Sequence, residues 1–352
     1  MHRRNLLPLP FAALTLRGSR AFAQQPTVTR VWPGLLWDRI GPDQAGWSRD
    51  KLAQAHDFAR NIGTASLVVV QHGRIVDCWG DITSKFELHS MRKSLLNSLI
   101  GIAVAADKIN LDATIGSLGI DDVAPSLSVS EKQATIRDLL ESRSGVYHPA
   151  LYETEGEKRR RPPRGSHPPG TFWYYNNWDF NVLGTIYERA VNESIFGSFQ
   201  EHIANPLGMQ DYRPQDGQYI RGATSRYPAY LFSMNALDLA RFGLLYLRSG
   251  LWQNRSIVPA AWVKASTTSW SEVSSRFGIG YGYLWWVPDQ PVNLMNLSSG
   301  GFWADGYRGQ FILVDPVNDL VVVHQTGSGF VDDRQMGYLM GQLLAAAPPK
   351  SG

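Results

Sequence analysis

Ser90-Met91-Arg92-Lys93-Ser94-Leu95-Leu96-Asn97-Ser98-Leu99-Ile100-Gly101-Ile102-Ala103-Val104-Ala105-Ala106 is the stretch on which the reading of this chain turns. Its pattern predicts a helix from Ser90 to Ala106 that is apolar almost all round, and such a helix belongs inside a large domain. Its first turn holds Ser-x-x-Lys. Residues three apart share a helix face, so the Lys93 amine comes within reach of the Ser90 hydroxyl. A serine at a helix N-terminus also sits where backbone N–H groups favour developing negative charge. A lysine kept neutral by burial or by a neighbouring cation could take the serine proton. The motif alone is weak, and it occurs a second time as Ser48-Arg49-Asp50-Lys51. That copy opens an amphipathic helix with Leu52, Ala55, Phe58 and Ala59 on one face, and reads as a cap. A buried lysine without a task is costly, which favours Ser90 and Lys93 as the working pair.

Outward from this helix, Ala65–Val70, a turn at His72-Gly73, and Ile75–Trp79 predict a β-hairpin. The middle of the chain reads as helix and loop, with helical segments at 136–141, 181–191, 195–203 and 237–247. Strands are expected at 283–287, 310–314 and 320–324, and a closing helix at 334–346. Strands at both ends with helices between predict an α+β fold: an antiparallel sheet lobe (about 28–110 and 265–347) and an inserted, mainly helical lobe (about 111–264). The two make one catalytic domain over 24–352, with a cleft between lobes as the natural site.

The 352 residues, 43% of them hydrophobic, suffice for such a core. Residues 1–23 read as an export signal. His2, Arg3 and Arg4 precede a short apolar run from Leu6 to Leu16, and Ala21-Phe22-Ala23 is a small-x-small cleavage site. Arg3-Arg4-Asn5-Leu6-Leu7 resembles a twin-arginine signal, so a periplasmic or secreted protein is expected, without a stable membrane anchor once the signal is cut. Removing the leader's four arginines turns the formal charge of +3 into −1, and leaves nothing that suggests a nucleic-acid partner. The run Lys158-Arg159-Arg160-Arg161, with Arg164, lies among prolines and reads as a solvated loop. Cys78 is the one cysteine, and there is no His-Glu-x-x-His run, so no metal or other cofactor is expected. No Gly-x-Ser-x-Gly elbow points to an α/β-hydrolase. Gly278, Gly280 and Gly282 alternate with Ile279 and Tyr281, which reads as strand or loop because no helix start follows.

A second chemical element is Tyr-x-Asn, present in two registers: Tyr174 with Asn176, and Tyr175 with Asn177. Composition does not choose between them, and aromatic core with turn asparagines is a further reading of the same run.

Taken in order, Ser90-Met91-Arg92-Lys93, Ile136-Arg137-Asp138-Leu139-Leu140 and Ser142-Arg143-Ser144-Gly145-Val146 resemble the serine β-lactamase and penicillin-binding-protein superfamily, in particular class C β-lactamases and family VIII carboxylesterases. Pro169-Gly170 followed by Trp173-Tyr174-Tyr175-Asn176-Asn177, and then Leu183-Gly184, is similar to that family's second motif; both flanks select Tyr175 and Asn177. Asp238-Leu239-Ala240-Arg241-Phe242-Gly243 and Tyr281-Gly282-Tyr283 extend the resemblance, which runs from about Ser48 to Leu343. It implies a serine hydrolase: Ser90 as nucleophile, Lys93 and Tyr175 as proton shuttles (Tyr175 as phenolate being one option), and Asn177 orienting Lys93 or the substrate. The N–H of Ser90 and one from a strand lining the site would hold the oxyanion.

The chain departs from the family on that strand. The Lys-Thr-Gly or His-Thr-Gly of β-lactamases is missing, and Phe302–Gln310 stands in its place. Its Gly306-Tyr307-Arg308-Gly309-Gln310 resembles the 6-aminohexanoate-dimer-hydrolase-like branch. The lost cation would grip a β-lactam or peptide carboxylate. Gly306, Tyr307 and Arg308 are the candidate substrate-binding residues here, Arg308 as the replacement cation. The balance leans to esters or amides of small carboxylic acids. A β-lactamase or D-Ala-D-Ala carboxypeptidase is the first alternative, and a slow-turnover binding or sensor protein the second. Trp173, Trp178, Trp285, Trp286 and Trp303 are candidates for an apolar acyl pocket, against the commoner role of core. His324 reads as structural.

Overall fold

The computed structural model describes residues 31–349; the expected export signal lies outside them. Eight antiparallel strands form the main sheet: β1 (Thr64–Gln71), β2 (Arg74–Gly80), β3 (Ser271–Ser274), β4 (Ile279–Tyr281), β5 (Trp286–Pro288), β6 (Phe302–Gly306), β7 (Gln310–Asp315) and β8 (Leu320–Thr326). Their order is β2-β1-β8-β7-β6-β5-β4-β3, so strands distant in sequence pair at β1 and β8. The β1–β2 hairpin turns on His72 (φ 53°) and Gly73 (φ 79°), two left-handed residues as a tight antiparallel turn requires. Gly73 is obligatory twice over, since a Cβ there would lie 1.9 Å from the Val31 carbonyl oxygen.

Apolar residues alternate between the sheet's two faces. Val68, Val70, Ile312, Val314, Val321 and Val323 pack into one core, and Leu67, Val69, Phe311, Leu313, Leu320 and Val322 into the other. Near-continuous apolar runs in β1, β7 and β8 are what burial on both faces demands. Helices α1 (Arg49–Asn61) and α6 (Asp333–Ala346) pack together over the second face. Ser48 caps α1, accepting from Lys51 N, and Lys51 Nζ donates to Ala345 O at 2.9 Å, so this second Ser-x-x-Lys is structural.

The first face carries α2 (Arg92–Ala105) and α5 (Ala236–Leu247), with α4 (Asn177–Val191) behind α2. Helix α5 comes from within the 111–264 span yet lies directly on β7 and β8. Gly243 allows it, since a Cβ there would meet Val321 Cγ1 at 2.5 Å. Asp238 accepts from the N–H groups of Gln210, Asp211 and Tyr212, and Arg241 donates to three backbone carbonyls, so that motif is a loop anchor.

The middle segment is less helical than expected. A hairpin, Gly217–Gly222 with Ser225–Met234, crosses it, and the expected 195–203 helix is α-helical only over Ile195–Phe199 before a π-turn. Pro228 masks the strand signal of Tyr227, Ala229, Tyr230, Leu231 and Phe232. The expected strand 283–287 shrinks to β5, because Leu284 turns left-handed (φ 60°). The α+β expectation holds, and no described helix is long and apolar enough to cross a membrane.

Candidate active site

The chain reaches Ser90 through a strained step. His89 is left-handed (φ 48°) and opens one 3-10 turn, His89–Met91, before α2 begins at Arg92. Ser90 therefore lies one turn outside the α-helix that the pattern predicted from Ser90 onward. The geometry survives the shift: Lys93 Nζ is 2.7 Å from Ser90 Oγ.

Tyr175 comes from the segment just before α4. That helix starts at Asn177, a turn earlier than its apolar periodicity suggested, because the Asn176 side chain caps it by accepting from Trp178 N. Asn176 also donates to Val146 O at 2.6 Å and Asp179 Oδ1 at 3.0 Å, and Tyr174 OH donates to Glu157 O. Tyr174, which also lines the cavity, and Asn176 are thus engaged by other protein groups, whereas Tyr175 OH lies 2.6 Å from Lys93 Nζ. Asn177 lines the same cavity without a hydrogen bond to Lys93.

Burial sets the protonation states. Desolvation first, then the like charge of Arg92, hold the Lys93 amine well below the ordinary lysine range. Desolvation, then Glu157, push the Tyr175 phenol well above its ordinary value. Both shifts favour the uncharged forms, a direction that runs against the phenolate option.

Arg92 itself was missed by the sequence reading. It is fully buried, its Nη2 donates to Asn181 Oδ1 at 3.3 Å, its carbon lies 4.4 Å from the Tyr230 ring centroid, and its Nε and Nη1 have no partner. No carboxylate pairs with it among the described residues.

The second wall is β6. A Cβ at Gly306 would lie 2.2 Å from Leu88 O, so only glycine lets the strand close against the segment before Ser90. That contact places Tyr307 at the rim, edge-on to His89 at 5.8 Å between centroids. Among the described residues, neither Ser90 N–H nor Tyr307 N–H donates to a backbone carbonyl. Arg308 departs from its expected role. Its backbone is left-handed (φ 73°) and its guanidinium folds back onto the carbonyls of Ser328 and Gly329, off the cavity wall.

A cavity of about 1110 Å³ opens onto Ser90 and Tyr175. Of the tryptophans, Trp173 and Trp286 line it; Trp178, Trp285 and Trp303 are core. The basic run is solvated over Lys158, Arg159 and Arg160, as read, but it is not a loop. It belongs to a short helix, α3 (Glu155–Arg160), that walls the cavity with Glu157, Arg159 and Arg160, while Arg161 and Arg164 pair with Glu153 and Glu131. The capping box Thr154–Glu157 was its sequence signal. Tyr152 and Asp305 also line the cavity and were missed; Asp305 could have been found, since it sits in the segment where the family's cation is lacking. His324 is buried between Thr64 and Gly309 O and held down to about 4 by burial, a structural residue as read.

Residues 49–344 match the Beta-lactamase family. The chain belongs to that family. Among solved structures it resembles a putative 6-aminohexanoate-dimer hydrolase from Bacillus anthracis (TM-score 0.64, 18% identity, covering 88% of this chain and 86% of that one). It also resembles a mutant class C β-lactamase (TM-score 0.63, 16% identity, 84% and 97% covered). A third is EstCE1, a hydrolase with promiscuous acyltransferase activity (TM-score 0.60, 17% identity, 84% and 97% covered). At these identities the likeness establishes the fold, that of the serine β-lactamase-like superfamily.

Proposed function

We propose that this family member is a serine hydrolase that cleaves esters or amides of small carboxylic acids through an acyl-enzyme on Ser90. The observation that carries the reading is Lys93 Nζ placed 2.7 Å from Ser90 Oγ and 2.6 Å from Tyr175 OH, at the floor of an open cavity. Neutral Lys93 takes the Ser90 proton as Oγ bonds to the carbonyl carbon. The oxyanion sits between Ser90 N–H and Tyr307 N–H. As the tetrahedral adduct collapses, Tyr175 protonates the leaving alkoxide or amine, and the Lys93 ammonium returns a proton to Tyr175. Water, activated by the same pair, then releases the acid and frees Ser90.

A β-lactamase or carboxypeptidase reading has less support, because β6 offers Asp305 where a substrate carboxylate would need a cation, and Arg308 is engaged elsewhere. The deciding experiment uses purified protein with a chromogenic short-chain ester and a chromogenic cephalosporin, each beside Ser90→Ala. Ester turnover that falls about a thousandfold or more in the variant supports the proposal. Turnover that survives Ser90→Ala refutes it. A burst of one product per chain without steady turnover would mark a slow-turnover binding or sensor protein instead.

A further inference from the structure

Arg92 opens α2, immediately before Lys93, and is fully buried. Its Nη2 donates to Asn181 Oδ1, while Nε and Nη1 have no partner among the described residues. Asn181 has nothing more to offer, because its Nδ2 already donates to Leu151 O at 3.1 Å. A second orphan stands beside the first. Tyr230, on the Ser225–Met234 strand, has its ring centroid 4.4 Å from the guanidinium carbon, and its buried hydroxyl is also unpartnered. Burial pushes that phenol up to about 12, and the charge and N–H groups of Arg92 pull against it, so the hydroxyl and the guanidinium are close neighbours. The Tyr152 ring lies on another side, its centroid 5.9 Å from the guanidinium carbon, and Tyr152 also lines the main cavity, which Arg92 does not. The carboxylate that reaches Tyr152, Glu87, is taken by Tyr152 OH and by His89 Nδ1 at 3.2 Å.

Two N–H groups and a hydroxyl, all buried and all able to donate, thus gather around one positive charge that no carboxylate answers. Such a charge is costly unless something else supplies its counter-charge. Water would satisfy the donors and bring no charge. A carboxylate or phosphate would bring further oxygens, which the rings of Tyr152 and Tyr230 do not partner. We propose that Arg92 and Tyr230 hold a small monovalent anion of the size and charge of chloride. It accepts from Arg92 Nε and Nη1 and from Tyr230 OH. The site goes beyond the hydrolase reading and stands without it; only its effect on turnover rests on that reading. Ser90 and Tyr175 hydrogen-bond to Lys93 Nζ. Arg92 favours the neutral amine as a like charge, against Glu157 and Asp305, which favour the ammonium. An anion on Arg92 weakens the first influence and leaves the other two, so more of Lys93 is charged and unable to take the Ser90 proton. Chloride should therefore inhibit below the acid limb of the pH profile and lose its effect above it.

The test has two arms. Crystals of the protein grown in sodium bromide are read for the bromine anomalous signal. Ser90-dependent ester turnover is followed across the acid limb in sodium chloride and in sodium gluconate at equal ionic strength. The expected results are a bromine peak in contact with Arg92 and Tyr230 OH, and a limb displaced to higher pH in chloride, with kcat/KM below it lowered severalfold to about tenfold. Arg92→Met should abolish both. Tyr230→Phe keeps the cation and removes one donor, so it should weaken the apparent chloride affinity by about threefold to tenfold, and it decides the matter if Arg92→Met folds poorly. Absence of the bromine peak at Arg92 overturns the proposal whatever the kinetics. A peak that survives Arg92→Met marks an adventitious ion only and overturns it too. A peak at Arg92 with a limb indifferent to chloride overturns the link to Lys93. If no ester is turned over through Ser90, the hydrolase reading fails, and the bromine signal still decides the anion site.

Discussion

Replacing Arg92 with Met removes a buried cation that has no carboxylate partner and lies one residue from the general base. Two like charges at a separation on the order of 8 Å and an effective dielectric of ~20 repel by about 2 kcal/mol. Lys93 acts as a base only when neutral, so kcat/KM should rise with pH through the Lys93 pKa. Arg92 holds that pKa down. Without it the acid limb should move to higher pH, and at a fixed pH below the limb activity should fall by about tenfold or more. Stability should not suffer in proportion. Two of the guanidinium nitrogens are unpartnered, and replacing a buried, poorly satisfied charge by an apolar side chain of similar length is often neutral or stabilising. The assay is the pH dependence of kcat/KM for a short-chain nitrophenyl ester from pH 5 to 10, beside a thermal melt of both proteins. A limb that does not move, in a variant that melts like the parent, would refute the electrostatic role. A falling Tm with an unmoved limb would make Arg92 a packing residue held by Tyr230 and Asn181.

Tyr175→Phe should lower kcat by about a hundredfold or more through loss of a proton-transfer partner, while Tyr174→Phe, which loses a bond to Glu157 O, should cost far less; kinetics of the two variants side by side check this, and the reverse ranking would reassign the proton shuttle. Gly306→Ala should displace β6 from the Ser90 segment, because its Cβ would land 2.2 Å from Leu88 O. A misplacement of about 1 Å costs on the order of a hundredfold in rate, so kcat/KM should drop by that order; a variant with normal kinetics would mean Tyr307 N–H does not help hold the oxyanion.

Much of this was written into short-range sequence. Ser90 and Lys93 are three residues apart in a run too apolar for a surface helix, and spacing alone puts them within reach. The β1–β2 hairpin follows from His72-Gly73 between apolar strands, and the sheet from valine-rich runs buried on both faces. The Tyr175 register was not legible from composition, since Tyr174-Tyr175 and Asn176-Asn177 are doublets. What separates them is the Asn176 cap, whose partners at Val146 and Asp179 are set by tertiary contact. The role of Arg308 was misjudged for a similar reason: a left-handed residue in a turn aims its side chain by backbone geometry, which residue type does not reveal. The Gly217–Met234 hairpin was hidden by Pro228, and the wall formed by α3 by the prolines that follow it.

The protonation states of the site follow first from burial, acting with opposite sign on opposite charges, and then from neighbouring charges. Lys93 is pushed down while Tyr175, Asp179 and Asp305 are pushed up, so each rests neutral or nearer to it. The consequences for stability oppose one another. A lysine with a depressed folded pKa binds fewer protons folded than unfolded, so its contribution rises with pH between that value and the ordinary 10.5, and is lost as pH falls through the folded pKa. Asp179 and Asp305 bind more protons folded than unfolded, so their contribution is present at acid pH and is lost as pH rises through their raised folded pKa values. A Lys93→Met protein should therefore lose the part of the stability profile that climbs toward alkaline pH, and Asp305→Asn the part that declines from acid pH. Denaturant melts across pH 4 to 9 separate the two. If both variants kept the parent's pH profile, the site would be wetter than the buried geometry implies, and the neutral-lysine mechanism would lose its physical basis.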